Sequence, residues 1–166
     1  MQEVWRVVRR RHAARAFTGL GALKAGGRWN SKGRCVVYCA DHPATALLEV
    51  VVHLEAEDFD PGDFLLFRAG LPEEEMEMLS VAMLPEDWHE EAMGVATQGL
   101  GDAWLRRGEK LALAVPSALV PAPAFNVLLN PSHRAYLDLQ VSEPEPLRVD
   151  GRLVRGSTRN AIRNAG

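Results

Sequence analysis

Between Lys110 and Leu129 the chain reads KLALAVPSALVPAPAFNVLL, and Pro116, Pro121 and Pro123 interrupt what would otherwise be one long apolar element. Proline has no amide proton to give and clashes with a preceding helical turn, so the stretch must divide. Two short strands, Lys110 to Leu119 and Phe125 to Leu129, satisfy that constraint. Similar short runs recur elsewhere: Val4 to Arg9, Arg34 to Ala40, Phe64 to Leu71 and Leu147 to Val149 all read as strands. Helices are expected where the period changes. Asp41-His42-Pro43 is a capped start ahead of Leu47, Leu48, Val51 and Leu54 at helical spacing, with Asp41 as the cap. Trp88 to Met93 and Thr97 to Arg107 are shorter helices, each with an apolar stripe.

The segment running to Asn30 reads as a loop with a helical turn, Glu73 to Glu77 as a solvated acidic connection, and Asn130-Pro131-Ser132-His133 as a cap-like turn. These elements alternate without a βαβ rhythm. They predict an α+β fold: a single domain over residues 1–154 with largely antiparallel sheets flanked by short helices. Residues 155–166 lose apolar content and read as a flexible C-terminal tail.

Composition narrows the functional classes. A chain of 166 residues with 47% hydrophobic and 25% charged residues has the profile of a soluble globular domain. No window reaches the roughly 20 apolar residues of a membrane span, and the charged N-terminus has no apolar region behind it, so a cytoplasmic protein without membrane contact is expected. A net charge of −3 offers no global field for nucleic acid; Arg9 to Arg11 and Arg155, Arg159 and Arg163 read as solvated surface. Cys35 and Cys39, four apart on a strand, would lie about 13 Å apart. A disulfide needs about 7 Å or less, so they read as small core or interface hydrophobes.

Four residues are candidates for chemistry. Gly26-Gly27 lets a ligand approach the backbone, and the Arg28 guanidinium beside it suits a phosphate; a glycine turn with a surface arginine is the competing reading. Tyr38, in an apolar strand, is either a core tyrosine or a ring that stacks on a heterocycle. Glu49 falls among Leu47, Leu48, Val50, Val51 and Val52, where an unpaired carboxylate is costly: it is paired with a neighbouring arginine, placed at the helix edge, or kept for a functional role. Ser117 ends an apolar strand, placed for a phosphate, a ribose or a local backbone bond. His42 and His53 flank Glu49 without metal-ligand spacing, and no metal is expected. Gly-rich dinucleotide, P-loop and nucleophile-elbow motifs do not occur in the sequence.

In order along the chain, GGRWN at 26–30, VVYCA at 36–40, ALLEV at 46–50, VPSAL at 115–119 and NVLLNP at 126–131 resemble the RES domain, the toxin half of RES–Xre toxin–antitoxin pairs. The resemblance spans Val4 to Val149 and includes Trp5-Arg6 at the start. It implies a fold like that of diphtheria-toxin-type ADP-ribosyltransferases and an enzyme that consumes NAD at the nicotinamide–ribose bond. The implied catalytic set is Arg28, Tyr38, Glu49 and Ser117, with Arg6, Gly27 and Asn130 added for binding.

On this reading NAD is a substrate, no cofactor is needed and inorganic phosphate is a possible co-substrate. A second anion site built from Ser117 and an arginine such as Arg6 would favour phosphate as acceptor. Nicotinamide leaves as a neutral molecule, so the reaction needs stabilisation of an oxocarbenium-like ribose more than a strong acid. The resemblance also implies an Xre-type antitoxin as partner in a hetero-oligomer, with no direct nucleic-acid contact. Transfer of ADP-ribose to a protein and a non-catalytic nucleotide- or antitoxin-binding module are the alternatives.

Overall fold

The short apolar runs line up as one sheet in the computed structural model, which describes residues 1–55, 57, 59–90, 94–121 and 123–154. Its strands are β1 (Gln2–Arg9), β2 (Val37–Ala40), β3 (Phe64–Leu71), β4 (Met76–Met78), β5 (Ala112–Pro116), β6 (Phe125–Leu129), β7 (Gln140–Val141) and β8 (Glu145–Leu147). They are ordered β4-β5-β6-β2-β1-β3-β7, and β8 also pairs with β3. Only β4 and β5 run parallel; the other pairs are antiparallel. With α1 (Leu20–Ala25), α2 (Pro43–Val51) and α3 (Val95–Arg107), this is the expected single α+β domain.

Register assigns each side chain to a face. Strands β1 and β3 pair over eight positions, from Gln2 with Leu71 to Arg9 with Phe64. Alternation therefore sends Val4 and Val8 to one face, and Trp5 and Val7 to the other. The first face packs Val4 with Val37, Cys39, Leu71 and Val127, under Phe17 and Tyr136. On the second face, Val7, Ala40 and Phe64 pack under Ala46 of α2. Further along that face, Leu113, Val115 and Leu128 meet Trp29, Trp88 and Trp104. Trp88 and Trp104 are thus core residues. Between β1 and β2 the ladder narrows to one pair, Trp5 with Ala40.

Several boundaries differ from expectation, each for a tertiary reason. Asp41 does not cap α2: its amide donates to the Phe125 carbonyl (3.0 Å) and its Oδ2 accepts from the Phe125 amide (3.1 Å). His42 caps the helix instead, its Nδ1 accepting from Ala44 N at 3.1 Å, and Pro43 follows in the first turn. The acidic connection becomes a short 3-10 turn, Glu73–Glu75, and then β4, which covers the outer edge of β5. The closing ladder is Glu145–Leu147 rather than Leu147–Val149, because Val149 turns its amide to Pro61 O at 3.0 Å. Helix α3 starts at Val95, two residues before the expected Thr97.

Of the helix expected over Trp88–Met93, residues 88–90 form a turn, and 91–93 lie outside the described residues, as does the expected tail 155–166. Both cysteines are free; Cys39 is buried and Cys35 Sγ donates to Thr18 O at 3.2 Å. Among the described residues no helix is long and apolar enough to cross a membrane.

Helix α3 lies unusually close to the loop before β2. A Cβ built on Gly101 would sit 1.8 Å from the Trp29 carbonyl oxygen, so only glycine permits this approach. Backbone cannot swing aside as a flexible side chain can, and Gly101→Ala is expected to cost about 3 kcal/mol or more. Thermal unfolding of that variant should show a fall in midpoint of several degrees, roughly 2–4 °C for each kcal/mol in a domain of this size.

Candidate active site

The site is built from the loop 26–31, the middle of β2, the last turns of α2, and the ends of β5 and β6. Gly26 opens the loop with φ +74°, in the left-handed region that suits glycine. The Gly27 amide donates to Asn30 O at 2.9 Å, which closes a tight turn around Arg28 and Trp29. Asn30 is fully buried, and its Nδ2 lies 3.1 Å from the carbonyl oxygens of Ala22, Ser31 and Arg34. Its Oδ1 accepts from the Tyr38 hydroxyl at 2.7 Å, and that hydroxyl accepts from Trp29 N at 3.1 Å. The strand tyrosine therefore reads back into the loop.

This arrangement explains Gly27. A Cβ there would fall 2.6 Å from the Tyr38 hydroxyl and 3.0 Å from Asn30 Oδ1. The glycine thus makes room first for a protein side chain. Burial holds the Tyr38 hydroxyl well above its ordinary pKa; Asp102 and Glu49 add to the shift, while the Trp29 amide and Arg28 oppose it. At neutral pH Tyr38 is a neutral scaffold hydroxyl and not a base.

Arg28 is half-buried. Its Nη1 donates to Trp88 O and its Nη2 to Glu90 O, both at 2.7 Å. The Trp88 ring packs on Trp29 with centroids 6.2 Å apart, so the segment that aims the guanidinium is itself docked on the loop. Both acceptors are neutral carbonyls. Among the described residues Arg28 makes no ion pair, and three of its five N–H groups remain for another acceptor.

Glu49 points from α2 toward the sheet. Its Oε1 accepts from Ser117 Oγ at 3.0 Å and from Asn126 Nδ2 at 2.7 Å. Ser117 is fully buried just past the end of β5, and its Oγ also lies 3.2 Å from Leu119 N and 3.3 Å from Val120 N. Its one proton therefore goes to the carboxylate, and its lone pairs take the amides. Among the described residues Oε2 accepts no hydrogen bond and Glu49 makes no ion pair.

Of the residues expected from sequence, Gly27, Arg28, Tyr38, Glu49 and Ser117 converge on the helix-bearing face of the sheet. Arg6 and Asn130 do not join them. Arg6 is in register with Phe67 and alternates with Trp5 and Val7, so it projects from the opposite face. Its Nη1 donates to the Tyr38 carbonyl, its Nε is buried without a partner, and burial lowers its pKa while Cys39 and Tyr136 raise it. Asn130 lies past the far end of β6 and caps the next turn, its Oδ1 accepting from Ser132 N at 3.0 Å. Asn126 takes the place beside Glu49. Its signal in the sequence was a lone polar residue in the run FNVLL, four before Asn130 and on the same parity. Among the described residues no group of three or more His, Cys, Asp or Glu side chains could hold a metal ion.

The RES domain matches residues 3–150. The chain belongs to the RES-domain family. Toxin Res of Yersinia enterocolitica is 34% identical to it over 151 residues, spanning 90% of this chain and 98% of the relative. Toxin Res of Pseudomonas putida is 39% identical over 152 residues, with 90% and 98% covered. The Prs ADP-ribosylating toxin of a Sphingobium species is 33% identical over 156 residues, with 91% and 96% covered. The crystal structure of the M. tuberculosis MbcT–MbcA toxin–antitoxin complex contains the same fold, with a TM-score of 0.70 and 18% identity over 93% of this chain and 87% of that one.

In this RES domain the Gly27–Tyr38 contact is testable. Gly27→Ala should destabilise the protein by about 1–3 kcal/mol through overpacking, and Tyr38→Phe by about 1–3 kcal/mol through the unpaired Asn30 oxygen. Because the phenylalanine removes the atom that the new methyl would strike, the double variant should lose clearly less than the sum. Denaturant unfolding of all four proteins measures that coupling.

Proposed function

We propose that this RES domain is the toxin of a toxin–antitoxin pair and degrades NAD by cleaving its nicotinamide–ribose bond. The observation that carries the reading is a pair of charges without charged partners. Among the described residues Arg28 and Glu49 are each hydrogen-bonded only to neutral protein groups, and neither makes an ion pair. A ligand with an anionic diphosphate at one end and a developing cation at the other complements them, and NAD is such a ligand.

Arg28 would take the diphosphate with its free N–H groups. Tyr38 would offer its ring to the nicotinamide, since its hydroxyl is occupied. Glu49 is oriented through Oε1, which leaves Oε2 to accept from a ribose hydroxyl and to stabilise positive charge as the glycosidic bond lengthens. Nicotinamide departs neutral, carrying the bond's electron pair, and the acceptor then attacks the ribose carbon. Ser117 is a positioning residue for Glu49 in this scheme. The second anion site expected from Ser117 and an arginine such as Arg6 is not assembled with Arg6, because the serine proton is committed and Arg6 lies on the other face. A dedicated phosphate acceptor site thus loses that support.

A second reading is transfer of ADP-ribose to a protein, favoured by the 33% identical relative named as a Prs ADP-ribosylating toxin. An antitoxin partner of Xre type is proposed in either case, since a chain of this fold is seen in complex with an antitoxin.

Incubation of the purified protein with NAD, with and without inorganic phosphate, and identification of products by mass should show free nicotinamide. ADP-ribose in both samples means hydrolysis, and ADP-ribose 1″-phosphate only with phosphate means phosphorolysis. No nicotinamide from folded, antitoxin-free protein would overturn NAD degradation and leave transfer to a protein target. Glu49→Gln keeps an oxygen for Ser117 and Asn126 but removes the charge, so NAD turnover should fall by about a hundredfold or more, with an unchanged unfolding midpoint.

A further inference from the structure

Helix α3 touches the Arg28 loop at three places on one helical face. At Gly101 the helix meets the Trp29 carbonyl in backbone contact. Such a contact fixes distance, but it leaves the loop free to rock about it. Two tethers lie on either side. Gln98 Nε2 donates to Gly27 O at 3.0 Å, just before Arg28. Asp102 Oδ1 accepts from Ser31 N at 3.1 Å and its Oδ2 from Ser31 Oγ at 2.5 Å, just after Asn30.

Asp102 has no cationic partner among the described residues. A bare carboxylate beside a loop that takes phosphate opposes anion binding by simple repulsion. Its place there needs another reason, and the paired bonds to Ser31 supply one. Bonds to an ionised acceptor are about twice as strong as neutral ones, and two of them to one residue fix orientation as well as distance.

We propose that Asp102 is the positioning residue of the anion-binding loop, acting through Ser31 to hold Arg28 at the height and direction that NAD requires. The inference rests on the NAD reading for what the loop binds, while the tether itself stands on the geometry. Asp102 touches no substrate in this scheme.

The test uses the full chain with Asp102→Ala, Ser31→Ala and the double variant, followed by hydrogen exchange and by steady-state NAD consumption. For Asp102→Ala, amide exchange over residues 27–31 should quicken about tenfold and KM for NAD rise about tenfold, with kcat within about twofold. Because Asp102 works through Ser31, the double variant should be no worse than Asp102→Ala alone, and Asp102→Asn should recover part of the loss. Additive losses, unchanged loop exchange, or a fall in kcat at constant KM would each overturn the proposal. Should Asp102→Ala not fold, Ser31→Ala against Ser31→Thr makes the same comparison. Wild-type protein that leaves NAD intact would remove the NAD reading, and the exchange arm would still decide whether Asp102 orders the loop.

Discussion

A fully buried asparagine holds this site together. Asn30 sits where three carbonyls converge on its amide nitrogen and a tyrosine hydroxyl reaches its oxygen. In water those partners would be satisfied by solvent; in the interior each one left unpaired costs about 1–3 kcal/mol. The loop has few ways to satisfy them all, so the network selects one conformation. Once Asn30 is placed, the Tyr38 hydroxyl is placed and Gly27 can carry no side chain. The polar network gives uniqueness and the tryptophans packed around it give the free energy: Trp29 and Trp104 are each 1% exposed, and truncating a buried tryptophan typically costs about 3–5 kcal/mol.

The charges of Arg28 and Glu49 follow a different rule. A protein built only for stability would pair Arg28 and Glu49 or leave them in water. Here each is oriented by neutral donors or acceptors that fix geometry without cancelling charge. Such an arrangement is preorganised: the dipoles are already aligned in the protein itself, which under the proposed function would limit reorganisation as charge develops. Ser117 and Asn126 point their donors at one oxygen, Oε1.

Much of this was legible in the sequence. The prolines at 116, 121 and 123 divide β5 from β6 as expected, and β1, β3 and β6 fall on the runs that marked them. Glu49 was flagged by its apolar neighbours, and the demand for a partner was correct; the partners are a hydroxyl and an amide instead of an arginine. Where the reading failed, the deciding fact was long-range. Asp41 has the right chemistry for a helix cap, but a strand 84 residues away takes its carboxylate. Arg6 and Asn130 have suitable side chains in suitable motifs. Which face a strand residue serves, though, depends on its register with β3, and the choice between two asparagines depends on which end of β6 meets α2. Neither is a local property. Gln98 and Asp102 carried no motif, because a helix that tethers a loop is recognisable only once the loop lies against it.

The single pair joining β1 to β2 makes the sheet two panels meeting at a seam, β1, β3, β7 and β8 on one side and β2, β4, β5 and β6 on the other. Helix α2 spans that seam: its Ala46 and Leu47 pack in one cluster with Trp5 and Val7 of the first panel, while its Glu49 bonds to Ser117 and Asn126 of the second. The carboxylate is therefore mounted like a strut across a fold line. Residues on the panel that holds none of the converging residues thus help to determine where Glu49 stands relative to Tyr38, through the helix that they pack against.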